Sequence, residues 1–352
     1  MQYKNFGRRT GLRVSEVALG TGNFGTGWGH GAERDEAKSM FDGYLDAGGN
    51  FIDTADGYQG GQAEVMLADF IAPERDRLVV ATKYTLGAAG QASVQTTGNS
   101  RKTMMQSVEA SLKRLKTDYI DLLWVHFPDG HTPMEEILRG LDDLVFSGKI
   151  LYAGLSNFPA WRVARADAIA ELRAWSPIIG LQMEYSLAER SAEREALPML
   201  DALGLGGALW SPLGGGLLTG KYRNNEEGRL QGLNGFLTRT EKSEREKNTV
   251  DAVLAVAEEL GSTPTQVAIA WLLQRDAVSH TALVPILGPR SRAQLDGTLG
   301  ALKLKLSAEQ YARLDAASAI ALGAPYEVNA QTAPRITGGT PEILLPAKLP
   351  VA

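Results

Sequence analysis

Four polar residues stand where apolar, strand-like runs come to an end. Asn50–Thr54 contains Asp53 and leads into Tyr58, Leu78–Lys83 closes on Lys83, and Tyr119–His126 closes on His126. A carboxylate or an ammonium is costly to bury alone, so Asp53 and Lys83 on neighbouring strands are expected to pair. A phenol and an imidazole beside such a pair make an acid–base site, because a nearby ammonium favours the ionised phenol. The plainer alternative is an Asp–Lys pair that closes a barrel end, with His126 bonded to backbone. That alternative suits any one of these residues and accounts poorly for all four together. The absence of cysteine removes disulfides, thiolate metal sites and cysteine nucleophiles. The histidines, His30, His126, His131 and His280, show no H-E-x-x-H or paired-ligand spacing, so no metal site is expected.

The elements that must position these groups alternate along the chain. Short apolar runs at Val17–Gly20, Asn50–Thr54, Leu78–Lys83, Tyr119–His126, Leu151–Asn157, Ile178–Tyr185, Ala208–Pro212 and Ala282–Leu287 read as strands. Helical spacing fills Glu33–Ala47, Arg101–Leu115, Met134–Phe146, Ala160–Ala174, Glu193–Leu203, Pro264–Gln274 and Ser291–Leu302. Strands alternating with helices indicate a parallel sheet covered by helices. Eight such units match a closed (β/α)8 TIM barrel of about 250 residues or more; an open doubly wound sheet, the runner-up, uses fewer strands. The whole chain, 1–352, is expected to be one α/β domain. Residues 1–17 would form a hairpin, 18–305 the barrel, and 306–352 a C-terminal helix (Ser307–Ala319) and tail. Arg223–Glu246, after the seventh strand, reads as a long polar loop, and the five prolines of Ile320–Ala352 predict an irregular tail.

Composition narrows the function. The chain has 352 residues, 44% hydrophobic and 22% charged, with 36 basic against 41 acidic side chains and a net charge of −5. A nucleic-acid partner would call for a basic excess or stripe, and neither is present. No apolar run approaches the ~18 residues of a membrane helix, and the N-terminus lacks the apolar core of a secretory signal. A cytoplasmic protein without membrane or nucleic-acid partners is expected, its oligomeric state open.

Two glycine patterns suggest phosphate loops and fail on context. Gly20–Gly25 satisfies G-x-G-x-x-G after a strand, but a dinucleotide fingerprint must open a helix there, and Thr26–Gly31 is too rich in glycine for one. Gly215–Lys221 satisfies G-x-x-x-x-G-K, but Tyr222 stands where magnesium would need a hydroxyl of Ser or Thr.

The succession NFIDTADGY (50–58), AEVMLADF (63–70), VVATKY (79–84), DYIDLLWVHFPD (118–129) and TPMEE (132–136) resembles the aldo-keto reductases, from about Tyr3 to Ala319. The resemblance implies that Asp53, Tyr58, Lys83 and His126 are a catalytic tetrad. Tyr58 would deliver a proton to a carbonyl oxygen while a nicotinamide passes a hydride to the carbon. Lys83 would lower the phenol pKa from ~10, with Asp53 anchoring Lys83 and His126 orienting the oxygen. AGLSNF (153–158) and LQMEYSL (181–187) imply nicotinamide contacts at Ser156, Asn157 and Gln182, with Asp53 also cofactor-facing. WSPLGGGLLTGKY (210–222) implies an aromatic face and pyrophosphate contacts at Trp210, Ser211, Leu213, Gly216 and Lys221, and the first loop adds Thr21 and Gly22. GPRSRAQL (288–295) implies a 2′-phosphate grip by Arg290 and Ser291, with Gln294 on the adenine side. The cofactor implied is therefore NADP(H). Thr298 stands where the family usually carries asparagine, which implies a looser hold on adenine. Trp28, in the glycine-rich loop, and Trp124 and Phe127, beside His126, are nominated for the substrate mouth. The implied activity is reversible NADPH-dependent reduction of a small-molecule aldehyde or ketone. A nicotinamide-binding regulatory subunit like the potassium-channel β subunits is the alternative.

Overall fold

The computed structural model describes residues 1–87, 92–224, 240–336 and 338–339. Its strands are β1 (Tyr3–Asn5), β2 (Arg13–Ser15), β3 (Ala18–Gly20), β4 (Phe51–Asp53), β5 (Val79–Tyr84), β6 (Ile120–Val125), β7 (Ile150–Ser156), β8 (Ile178–Glu184), β9 (Gly206–Trp210) and β10 (Leu283–Leu287). β1 and β2 pair as the N-terminal antiparallel hairpin, with Lys4 opposite Val14. The other eight close into a parallel barrel in the order β10-β3-β4-β5-β6-β7-β8-β9. Helices follow the strands around the outside, as a (β/α)8 TIM barrel requires. Outward strand residues such as Ile52, Val80, Leu123 and Leu155 share one apolar cluster with Met40, Val108, Ile137 and Val163 of the helices.

Side chains alternate across a strand, so every second residue enters the barrel. Phe51, Val79, Ala81, Leu122, Trp124, Ala208, Val284 and Ile286 form a second cluster inside it, together with Phe6 from the hairpin. Phe6 meets the rings of Phe51 and Trp124 edge-on, at 5.7 and 6.1 Å. A Cβ on Gly154 would lie 2.3 Å from the Trp124 ring, so only glycine on β7 leaves room for it. The hairpin and these rings fill the end where the strands begin. Continuing the same inward rows by two residues brings Asp53, Lys83 and His126 to the opposite end.

Caps mark several helices as anticipated. Thr263 Oγ1 accepts the Gln266 N–H ahead of Pro264–Ala277, and Ser307 and Gln310 form a capping box for Ala308–Ser318. Three stretches differ from the sequence expectation. Gln62–Ile71 is a helix that was not anticipated. Glu244–Glu259 is a helix whose Ser243/Glu246 capping box lies inside the presumed loop 223–246; residues 225–239 of that loop lie outside the described residues. Tyr326–Ile336 is helical where the tail was expected to be irregular. Pro325 precedes that helix, and Pro334 stands inside its last turn, where a proline has no N–H to give to the carbonyl four residues back. The remainder of the tail, 340–352, is outside the described residues.

Candidate active site

At the carboxyl ends of β4, β5 and β6 the four polar residues converge. Lys83 is fully buried, and its Nζ donates to Asp53 Oδ2 at 2.6 Å, to the Thr54 carbonyl at 2.8 Å and to Tyr58 OH at 3.0 Å. Burial opposes the ammonium, but Asp53 and then Tyr58 outweigh it and hold the Lys83 pKa above its ordinary value. Asp53 Oδ1 accepts from Gln182 Nε2 at 2.8 Å, so both carboxylate oxygens are engaged. The His126 ring lies 6.1 Å from that of Tyr58, edge to face. Burial, reinforced by the Lys83 charge, pushes the His126 pKa well below the usual imidazole value, which makes it neutral at pH 7. His126 Nδ1 is buried and has no hydrogen-bond partner among the described residues.

The residues nominated for a cofactor fall into connected groups. Thr21 donates through both its N–H and Oγ1 to the Asp53 carbonyl, at 2.9 and 3.1 Å. A Cβ on Gly22 would stand 3.8 Å from the Tyr58 ring. Asn157 Nδ2 donates to Ser156 Oγ and to the His126 carbonyl, both at 3.1 Å, and Asn157 Oδ1 accepts from Trp210 Nε1 at 3.0 Å. A hydrogen-bonded row thus runs from β6 through β7 to β9 around the barrel mouth. Asn157 and Ser211 hold φ of 59° and 56°, the left-handed region that side chains seldom adopt, and such strain gathers at functional sites. Ser211 Oγ accepts from the Gly215 N–H at 3.0 Å, opening the turn Gly214–Thr219 that carries Gly216; Lys221 follows in a second turn, and Leu213 packs against the core.

Arg290, Ser291, Gln294 and Thr298 lie apart from this row, around the helix Arg292–Leu299 that follows β10. Ser291 caps that helix, Gln294 Oε1 accepts the Arg290 N–H at 2.9 Å, and Thr298 Oγ1 donates back to the Gln294 carbonyl at 2.7 Å. Asn23 Nδ2 joins the first loop to this region through the Gly288 and Pro289 carbonyls. Asn23 was not singled out in the sequence, and only the pairing of β3 with β10 reveals its part.

Of the aromatics nominated for the mouth, two stand at it. Trp28 is 44% exposed with its ring 6.1 Å from Tyr58, and Phe127 is 37% exposed and stacked on His126 at 4.6 Å. Trp124 is a correction. It is fully buried against Phe6, one inward layer below His126, and cannot line the mouth.

A further acid sits behind the site. Asp56 is 1% exposed, and among the described residues no side chain donates to its carboxylate, which has only the backbone N–H of Gly57 beside it. Arg114, the nearby guanidinium, is spent on Glu64 at 2.6 Å. Burial, then the Glu64 charge, pushes the Asp56 pKa up to about 7. The folded protein therefore keeps a proton on Asp56 between pH 4 and 7 that the unfolded chain has released. Stability from this group is present below pH 4 and is lost as pH rises to about 7, on the order of a few kcal/mol. Asp56→Asn is expected to raise the urea midpoint at pH 8 and to change it little at pH 3.5, below the unfolded value. An equal change at both pH values would count against a protonated Asp56.

Among the described residues, no group of three His, Cys, Asp or Glu side chains could hold a metal ion, and no helix is long and apolar enough to cross a membrane. An acid–base cluster at the carboxyl ends of a closed parallel barrel defines the class: a barrel enzyme with its chemistry on the usual face. The model of the aldo/keto reductase family matches residues 16–319, and the chain belongs to that family of oxidoreductases. It is 37% identical over 324 residues to norsolorinic acid reductase of Aspergillus flavus, covering 90% of this chain and 80% of that one. It is also 37% identical over 337 residues to an NADP(+) aryl-alcohol dehydrogenase of Phanerodontia chrysosporium, covering 90% and 86%. An uncharacterized oxidoreductase of Bacillus subtilis is 36% identical over 322 residues, covering 88% of this chain and 93% of its own.

Proposed function

We propose that this protein, acting as one domain in the cytoplasm, reversibly reduces aldehydes or ketones on aromatic substrates to alcohols with NADPH, and that Tyr58 is the proton donor. The observation that carries the reading is the buried chain from Asp53 through Lys83 to Tyr58 OH. When Tyr58 gives up its proton, the Lys83 ammonium at 3.0 Å stabilises the phenolate, and Asp53 keeps that ammonium in place. An orphaned buried N–H is rarer than an orphaned acceptor, so the neutral His126 keeps its proton on Nε2 and offers it to the substrate oxygen. The name of the aryl-alcohol dehydrogenase relative and the exposed rings of Trp28 and Phe127 beside Tyr58 and His126 support an aromatic substrate.

The residues present fit a nicotinamide cofactor. Gln182 Oε1 takes no hydrogen bond from the described residues, Ser156 and Asn157 add polar atoms beside it, and Trp210 offers a ring face at the same rim. A bound reduced nicotinamide supplies the hydride that the chain itself cannot. Ser156, Asn157 and Gln182 would hold its carboxamide; Thr21, Gly22, Leu213, Gly216 and Lys221 its linker; and Arg290 and Ser291 the 2′-phosphate. A guanidinium beside a helix N-terminus suits a dianion.

Oxidation of NADPH followed against a panel of aromatic and aliphatic aldehydes and ketones tests the activity. Binding of NADPH without turnover on any of them would favour the regulatory alternative. For cofactor choice, Arg290→Ala is expected to weaken NADPH about ten- to a hundredfold, ~1.5–3 kcal/mol, and to leave NADH nearly unchanged. Dissociation constants for both cofactors decide this, and equal weakening would remove Arg290 from the phosphate.

A further inference from the structure

The loop that carries Trp28 is held by the residue next to the proposed proton donor. Gln59 follows Tyr58, is fully buried, and adopts φ 52° and ψ 34°, a left-handed conformation that suits glycine better than a side chain. Its carboxamide is used at both ends. Oε1 accepts the Trp28 N–H at 2.9 Å, and Nε2 donates to the Gly22 carbonyl at 2.9 Å. Gln62 adds a second hold, its Oε1 accepting the N–H groups of Thr26 and Gly27 at 2.8 and 3.1 Å. The contact is close: a Cβ on Gly27 would fall 2.3 Å from the Gln59 carbonyl oxygen, so the loop lies flat on this turn. The Trp28 ring then stands 6.1 Å from Tyr58 at 79°, an edge-to-face pair across the mouth.

We propose that Gln59 is a positioning residue that sets selectivity for aromatic carbonyl substrates by holding Trp28 as the wall opposite Tyr58. The inference rests on the reading of the protein as a reductase of aromatic carbonyls and extends it to a residue that touches neither substrate nor cofactor. A buried polar side chain in a strained backbone needs a compensating role. Two hydrogen bonds to one loop provide it, and the loop's aromatic residue is what the site presents.

The test compares benzaldehyde with propanal in wild type, Gln59→Gly, Trp28→Ala and the double variant. Gln59→Gly removes the strain together with both hydrogen bonds. It is expected to raise KM for benzaldehyde about three- to tenfold, as for a lost aromatic contact. Its kcat and its KM for propanal should stay within about twofold of wild type. The double variant should be no worse on benzaldehyde than Trp28→Ala alone, because both changes act through one ring. Gln59→Asn, which tolerates the left-handed backbone but is too short to reach the loop, should reproduce Gln59→Gly and covers a folding failure of the glycine variant. Equal losses on both aldehydes, additive effects in the double variant, or an unchanged benzaldehyde KM would each overturn the proposal. A wild type without preference for benzaldehyde overturns the aromatic reading and this inference with it; a wild type with that preference and insensitive Gln59 variants overturns this inference alone.

Discussion

Tyr58→Phe is expected to lower kcat/KM for carbonyl reduction by roughly a hundred- to ten-thousandfold, the range of a lost general acid. NADPH should bind within about threefold of wild type. The two expectations separate because the hydroxyl and the nominated carboxamide-binding groups are different parts of the rim. Phenylalanine keeps the ring that meets Trp28 and His126 edge-on, so packing at the mouth persists. Lys83 also keeps Asp53 and the Thr54 carbonyl, so no buried charge is stranded. Steady-state rates with an aromatic aldehyde and a fluorescence titration with NADPH give both numbers. Near-normal turnover would remove Tyr58 from the proton transfer, and a matching loss of affinity would mean that the site had collapsed.

The contrast between Tyr58 and Trp124 shows which parts of such a site are legible in a sequence. Strand ends were readable because β-branched and leucine-rich runs stop abruptly at polar residues, and Asp53, Lys83 and His126 sit at those stops. Adjacency misleads where layers matter. Trp124 and His126 face the same way, but two residues along a strand move a side chain from the mouth to the packed interior. The partners that claim Trp124, Phe6 and the space above Gly154, are far away in sequence. The helix Glu244–Glu259 had a readable signal, since Ser243 and Glu246 have the spacing of a capping box. Gln59 and Asp56 had none. The part played by Gln59 depends on a left-handed backbone and on the approach of a distant loop. The Asp56 state depends on Arg114 having been taken by Glu64.

Lys83→Met should act on both stability and chemistry, and a second substitution separates the two. Methionine fills the stem of the lysine but leaves Asp53, 2% exposed, with Gln182 as its remaining side-chain partner. Stranding one member of a buried ion pair costs about 3–5 kcal/mol. In wild type the Lys83 pKa is raised, so the pair's contribution is complete at neutral pH and is lost only as pH climbs through a value above that of ordinary lysine. Adding Asp53→Asn to Lys83→Met removes the stranded charge, and much of the urea midpoint should return. Activity should not return with it. Without the ammonium, the rate-against-pH curve of the proton donor should move towards that of free tyrosine, near ~10, in the single and the double variant alike. Recovery of stability without recovery of the pH profile would mean that this buried pair is held at the barrel mouth for its effect on Tyr58. An unchanged profile in both variants would instead leave Lys83 and Asp53 as a pair that merely closes the end of the barrel.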